Sequence, residues 1–137
     1  LGSTVTLMGG AGFGQHTKMC NQISIAATIM GVCEAISYAK KAGLDPEKVI
    51  ECISPGAAGS RQLTLYGTRM LKGDFAPGFY IKHFIKDMSI AIEESEAMGL
   101  KTPALKLAKS LYDKLAKEGC GDLGTQALIK LYMENNI

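Results

Sequence analysis

Three short stretches of this chain carry residue types that could do chemistry. The first is Lys18-Met19-Cys20-Asn21-Gln22. Residues three and four apart share one face of a helix, so Lys18, Asn21 and Gln22 would point together, above an apolar stripe continued by Ile25, Ile29, Val32 and Ile36. An amine beside two amides could pass a proton and orient a small polar ligand. Near a helix N-terminus and partly buried, Lys18 would have its charge disfavoured by both the macrodipole and desolvation, which would poise it for proton transfer. The bland alternative is that the ammonium snorkels to water while the amides bond neighbouring backbone. Spacing leaves both open.

The second stretch is Lys82-His83-Phe84-Ile85-Lys86-Asp87. Lys82 and Lys86 share one helical face, and His83 and Asp87 an adjacent one, where the latter two could form an ion pair or sit on a solvated face. The third, Ser60-Arg61 after Gly59, could meet an anion or open a helix with serine as its N-cap. Gly9-Gly10-Ala11-Gly12-Phe13-Gly14 invites a phosphate-binding reading, but Gln15 stands where the dinucleotide fingerprint wants glycine and no Gly-Lys-Ser/Thr follows. A flexible turn leading into a helix is the simpler reading. With two histidines, His16 and His83, and no cysteine or carboxylate at ligand spacing, no metal site is expected.

These residues need elements to position them, and the spacing predicts helices almost throughout. From Gln15 to about Ala42 there is no proline and one glycine, and Met19 to Ile36 is apolar on every face, as in a buried helix that others surround. Gly43 stops it; Asp45-Pro46 caps and starts a short helix to about Cys52. A further helix is expected over Ser60 to Leu71, followed by a loop rich in glycine and proline. Ile81, Phe84, Ile85, Met88 and Ile92 then recur at helical spacing as far as Glu96, with Gly99 as the stop. Thr102-Pro103 opens another helix to about Lys117, and Thr125 to Met133 reads as a last amphipathic one. The fold class is therefore all-α: a bundle of about six helices around a long buried central helix. Thr4 to Met8 alternates as a half-buried strand would, an orphan whose sheet would belong to sequence upstream.

Composition narrows the function classes. A length of 137 residues predicts one domain, spanning 1–137, and 47% hydrophobic content with 20% charge supports a packed core rather than disorder. Fifteen basic against 13 acidic residues give +2, too weak a field to favour nucleic acid or anionic lipid. Cys20, Cys33, Cys52 and Cys120 include no Cys-x-x-Cys pair, so they read as reduced thiols of a cytoplasmic protein. The most apolar run, Ile23 to Cys33, is shorter than the roughly 20 residues of a bilayer span, so no membrane helix is expected. Leu1-Gly2-Ser3-Thr4 resembles neither a signal peptide nor a natural start, which suggests a longer parent chain.

At the two main stretches the chain resembles the β-hydroxyacid dehydrogenases, which include 3-hydroxyisobutyrate dehydrogenase and tartronate semialdehyde (2-hydroxy-3-oxopropionate) reductase and, more distantly, 6-phosphogluconate dehydrogenase. The resemblance rests on Gly10 through Gln22, Glu34-Ala35, Ala42 through Pro46, Phe75 through Phe79, and Lys86-Asp87-Met88-Ser89-Ile90-Ala91, in order and over nearly the whole chain. It implies the carboxy-terminal helical domain of such an enzyme, with the amino-terminal Rossmann domain for NAD or NADP absent apart from its last strand. It also implies Lys18 as general acid/base, Asn21 and Gln22 orienting the substrate, Ser60 and Arg61 near the cleft, and Phe79 and Lys86, supported by Asp87, approaching the nicotinamide. Many relatives carry Asn where Gln22 stands; Gln occurs in the semialdehyde-reductase branch. The implied partners are a short hydroxyacid or semialdehyde and further copies of the chain in a homodimer or homotetramer, while the helical half alone should be inactive. The competing expectation is a non-catalytic helical oligomerisation or interaction module.

Overall fold

The computed structural model describes residues 12–137; the strand expected at 4–8 and residues 9–11 of the glycine cluster lie outside the described residues. The first helix, α1 (Phe13–Lys41), has 29 residues, a rise of about 44 Å. It ends as a Schellman motif: Gly43 takes φ 81°, its N–H donates to Lys40 O at 3.2 Å, and Leu44 N–H donates to Ala39 O at 2.9 Å. Then α2 (Pro46–Ile53) starts with proline in its first turn and Asp45 Oδ1 accepting from Glu47 N–H at 3.0 Å.

After a turn-rich stretch the chain enters a π-helical segment (Gln62–Gly67) continuous with α3 (Thr68–Lys72), where the sequence predicts one regular helix. Leu63, Gly67 and Met70 are its buried positions, and Gly67 is there for contact: a Cβ would lie 3.3 Å from Ile50 Cδ1 and 3.6 Å from Val32 Cγ1. The antiparallel pair α4 (Ile81–Ala97) and α5 (Pro103–Lys117) follows, with Gly99 at φ 71° between them. The chain closes with a 3-10 turn (Thr125–Leu128) running into α6 (Ile129–Met133). A single amphipathic helix was expected over those last residues; instead Gln126, Ala127 and Leu128 are all fully buried in succession, which a one-faced α-helix does not permit.

α1 is the axis, packed against α2, α4, α5, α6 and both irregular segments. It is not enclosed all round: Cys20, Ser24, Ala27, Gly31, Glu34 and Tyr38 form an open face. Small residues count as apolar in a helical pattern, yet bury little area, so leaving them in water costs little. α1 is also long and apolar enough to cross a bilayer on length and composition, which the unbroken run Ile23 to Cys33 underrated. Its Ala26, Ile29, Cys33 and Ile36 are instead covered by other helices, the pattern of a core helix.

Phe84 and Tyr112 form the aromatic centre, ring centroids 5.2 Å apart edge to face, and Phe79 meets Phe84 at 5.7 Å. Burial pushes the Tyr112 phenol well above its ordinary value, and its O–H donates to Thr125 O at 2.8 Å. At the start of α4 no side chain caps the free N–H groups. Ile81 N–H donates to Leu123 O at 2.9 Å and Lys82 N–H to Gly121 O at 3.0 Å, beside an antiparallel bridge between Tyr80 and Gly124. Gly124 N–H donates to Phe75 O at 2.9 Å, so a clasp joins the segment before α4 to the one after α5. Only glycine fits there: a Cβ on residue 124 would sit 2.9 Å from Ala76 O.

Candidate functional site

The packing of α1 against α4 brings together four of the residues singled out by spacing. Lys18 Nζ lies 3.6 Å from Asp87 Oδ1, and Gln22 Nε2 donates to Asp87 Oδ2 at 2.9 Å. Asn21 Nδ2 in turn donates to Gln22 Oε1 at 2.9 Å. The amides therefore bond side chains rather than neighbouring backbone. Asp87 is buried with both oxygens engaged, as a carboxylate taken from water requires, whereas the Lys18 side chain is 46% exposed. Lys18 is more open than the sequence suggests, a half-exposed side chain with a carboxylate beside its ammonium. Such a group can give a proton to, or take one from, a ligand arriving from solvent while Asp87 compensates the charge on this side.

The pairing of His83 with Asp87 does not occur. Asp87 turns inward to α1, and His83 stays exposed, its ring 5.4 Å from that of Tyr80. Helical spacing put them within reach of each other but could not show that α1 would supply a closer cation. Lys82 instead pairs with Asp122 at 2.6 Å; that hydrogen bond, followed by the pair's mutual attraction, raises the Lys82 ammonium and lowers the Asp122 carboxyl from their ordinary values. Lys86 is exposed one residue before Asp87, and Phe79 is half-buried at the head of α4. Ser60 acts as an N-cap, its Oγ accepting from Leu63 N–H at 3.0 Å, and it lines a hollow of about 270 Å³ beside Thr28, Gly31 and Ala35. Thr28 is ten residues beyond Lys18 on α1, about 15 Å of helical rise, so the structure does not bring Ser60, or the exposed Arg61 next to it, to the Lys18 cluster.

Two features went unread in the sequence. One is the Lys18 to Asp87 pairing, whose signal was that Lys18 has no acidic residue within helical reach on its own helix. The other is an apolar groove of about 400 Å³ between Phe13, Met19 and Ile23 of α1 and Ala91 and Met98 at the far end of α4. Among the described residues no group of three or more His, Cys, Asp or Glu could hold a metal ion.

Residues 12–132 match the family described as NAD-binding of NADP-dependent 3-hydroxyisobutyrate dehydrogenase. The chain belongs to the 3-hydroxyisobutyrate dehydrogenase family. It is 58% identical over 98% of its length to an uncharacterized oxidoreductase, YkwC, of Bacillus subtilis, covering 46% of that protein. It is 54% identical over 91% of its length to a probable mitochondrial 3-hydroxyisobutyrate dehydrogenase-like protein of Arabidopsis thaliana, covering 37% of it. Against the 2-hydroxy-3-oxopropionate reductase of Escherichia coli the identity is 39% over 95% of this chain and 44% of that one. The solved structure of the 3-hydroxyisobutyrate dehydrogenase of Mycobacterium tuberculosis with L-serine superposes with a TM-score of 0.80 at 26% identity, over 87% of this chain and 43% of that one. The chain thus spans less than half the length of the relatives it matches.

Proposed function

We propose that this chain is the helical, substrate-facing half of an NAD(P)-dependent enzyme that interconverts a short 3-hydroxyacid and its semialdehyde, with Lys18 as general acid/base. The observation that carries the reading is the Lys18, Asp87, Gln22 and Asn21 cluster, in a chain whose relatives are named as hydroxyisobutyrate dehydrogenases and an oxopropionate reductase. The residues present fit the reacting end of such a pair. Lys18 offers a half-exposed ammonium, exposed Lys86 adds a second cation suited to a carboxylate-bearing substrate, and half-buried Phe79 offers an apolar surface to a nicotinamide ring. When bound, the nicotinamide supplies or takes up the hydride. Lys18 Nζ gives a proton to the substrate oxygen in reduction and receives it in oxidation, and Asp87 Oδ1, 3.6 Å away, draws the ammonium to this place.

The dinucleotide would be bound chiefly by a Rossmann domain upstream, so the helical half alone is inactive. The open face of α1 and exposed Phe13, Met98 and Leu100 support a homodimer or homotetramer, which light scattering would read directly. All four cysteines are free, which supports a reducing compartment such as the cytoplasm. The test is a chain extended upstream by about 150 residues, one domain's length, assayed for NADH and NADPH oxidation with short semialdehydes, with and without Lys18→Ala. A loss of about a hundredfold or more in kcat is expected. Turnover indifferent to Lys18, or turnover by the 137-residue chain alone, would overturn the reading.

A further inference from the structure

We infer that Gln22 is a positioning residue: its buried side-chain amide holds Asp87, and Asp87 holds the Lys18 ammonium, so that Gln22 governs the placement of the reacting amine without touching the substrate. This rests on the proposed role of Lys18.

Three observations carry it. Gln22 is 6% exposed, too covered to meet a ligand arriving from solvent. Each end of its amide is occupied by protein, Nε2 on Asp87 Oδ2 and Oε1 receiving Asn21 Nδ2, both at 2.9 Å. Asp87 divides its oxygens, Oδ2 facing the amide and Oδ1 the ammonium, while the 3.6 Å separation from Lys18 Nζ is too long for a good hydrogen bond. The lysine is therefore attracted to the carboxylate but not pinned by it, and its Nζ remains free to reach a ligand. The orientation of that carboxylate sets which oxygen faces the ammonium. Without the amide, Asp87 could rotate about its terminal torsion, which is broad, and turn both oxygens toward Lys18 or toward water. The side chain of Gln22 spans from α1 to α4.

The test uses Gln22→Met, which nearly preserves length and volume and removes both hydrogen bonds, in the upstream-extended chain beside Lys18→Ala. If Gln22 positions the amine, kcat falls roughly ten- to hundredfold while KM for the semialdehyde stays within about twofold, since a misplaced reacting group costs rate rather than uniform binding. A rise in KM with kcat unchanged would make Gln22 a substrate contact and overturn the inference, as would unchanged kinetics. A loss of kcat on Lys18→Ala without one on Gln22→Met would remove the positioning role alone; indifference to Lys18→Ala would remove the proposed function with it. A structural readout on the 137-residue chain stands beside the kinetics. The Gln22 side-chain amide protons should exchange slowly by NMR, and Asp87→Ala should speed that exchange while the backbone amides of α1 keep their protection. Fast exchange in the unsubstituted chain, or exchange indifferent to Asp87→Ala, would refute the link. Unaltered thermal unfolding of Gln22→Met establishes that its kinetics report on a folded protein. Should it unfold, Gln22→Leu, which likewise removes both hydrogen bonds, takes its place with the same expected kcat loss and unchanged KM.

Discussion

Replacing Gln126 by leucine sets two opposing terms against each other, and the structure gives the sign. Gln126 is fully buried, and its Nε2 donates to Asp74 O at 3.0 Å and Ala76 O at 2.9 Å, stapling the loop before α4 to the 3-10 turn. Its Oε1 is buried with no partner. Two neutral hydrogen bonds contribute about 2 kcal/mol net, and an unsatisfied buried oxygen costs about 1 kcal/mol at the lower end of its range. Asp74 and Ala76 lie on an exposed loop, so their carbonyls can turn to water and add little further penalty. Leucine, of similar size, refills the site. Gln126→Leu should therefore destabilise the chain by about 1 kcal/mol, seen as a lower urea midpoint at unchanged slope and a Tm lower by roughly 3–5 °C. The amide of Gly124, which donates to Phe75 O, should lose protection from hydrogen exchange in the same variant. A variant as stable as the parent or more so would show that the orphaned oxygen outweighs the staple, and the reasoning would be wrong.

Phe84→Ala removes a fully buried ring that meets both Phe79 and Tyr112, and should cost about 3–5 kcal/mol by urea unfolding; a loss under about 2 kcal/mol would mean the site collapses around the gap. With an unhindered thiol reagent, exposed Cys20 and Cys52 should react promptly, whereas Cys33, whose thiol burial pushes far up, and buried Cys120 wait for unfolding; three prompt thiols would contradict the packing. Asp122 has a folded-state value held below its ordinary 3.8 by the hydrogen bond from Lys82. Its contribution to stability is therefore present above that ordinary value and is lost as pH falls through the depressed one, and added salt should weaken it because both groups are exposed. Lys82→Ala should return the Asp122 carboxyl to its ordinary titration by NMR, and an unmoved titration would mean the pair does not form in solution.

Much of the fold was legible because it is written in local signals. The stop at Gly43, the cap at Asp45 with Pro46, the stop at Gly99 and the start at Pro103 all lie within a residue or two of the helix ends they mark. What escaped depends on tertiary contact. Nothing in Gln62 through Gly67 distinguishes a π-helical segment from an α-helix, and the 3-10 turn at Thr125 is tied by Gln126 to Asp74 and Ala76 some fifty positions back. The site divided along the same line. Lys18, Asn21 and Gln22 share a face by spacing, but a helical wheel contains no other helix, so spacing offers Asp87 only His83 or a solvated face and not Lys18. The resemblance implies Ser60 and Arg61 near the cleft; the hollow that Ser60 lines begins at Thr28, about 15 Å of helical rise from Lys18.

The clasp between Tyr80 and Gly124 makes the peptide link between α4 and α5 dispensable for holding those two helices together. The connection from Met98 to Lys101 is exposed throughout, so a protease that cut there would leave two pieces fastened at their other end. Such a nicked protein would run as one species in native conditions and part only in denaturant. It would also keep its lysine and carboxylate in register, because Asp87 is less than two turns from the fastened end of α4 and more than two turns from the cut. The spacing of the reacting groups is thus indexed from the clasp, by backbone some forty residues away in sequence.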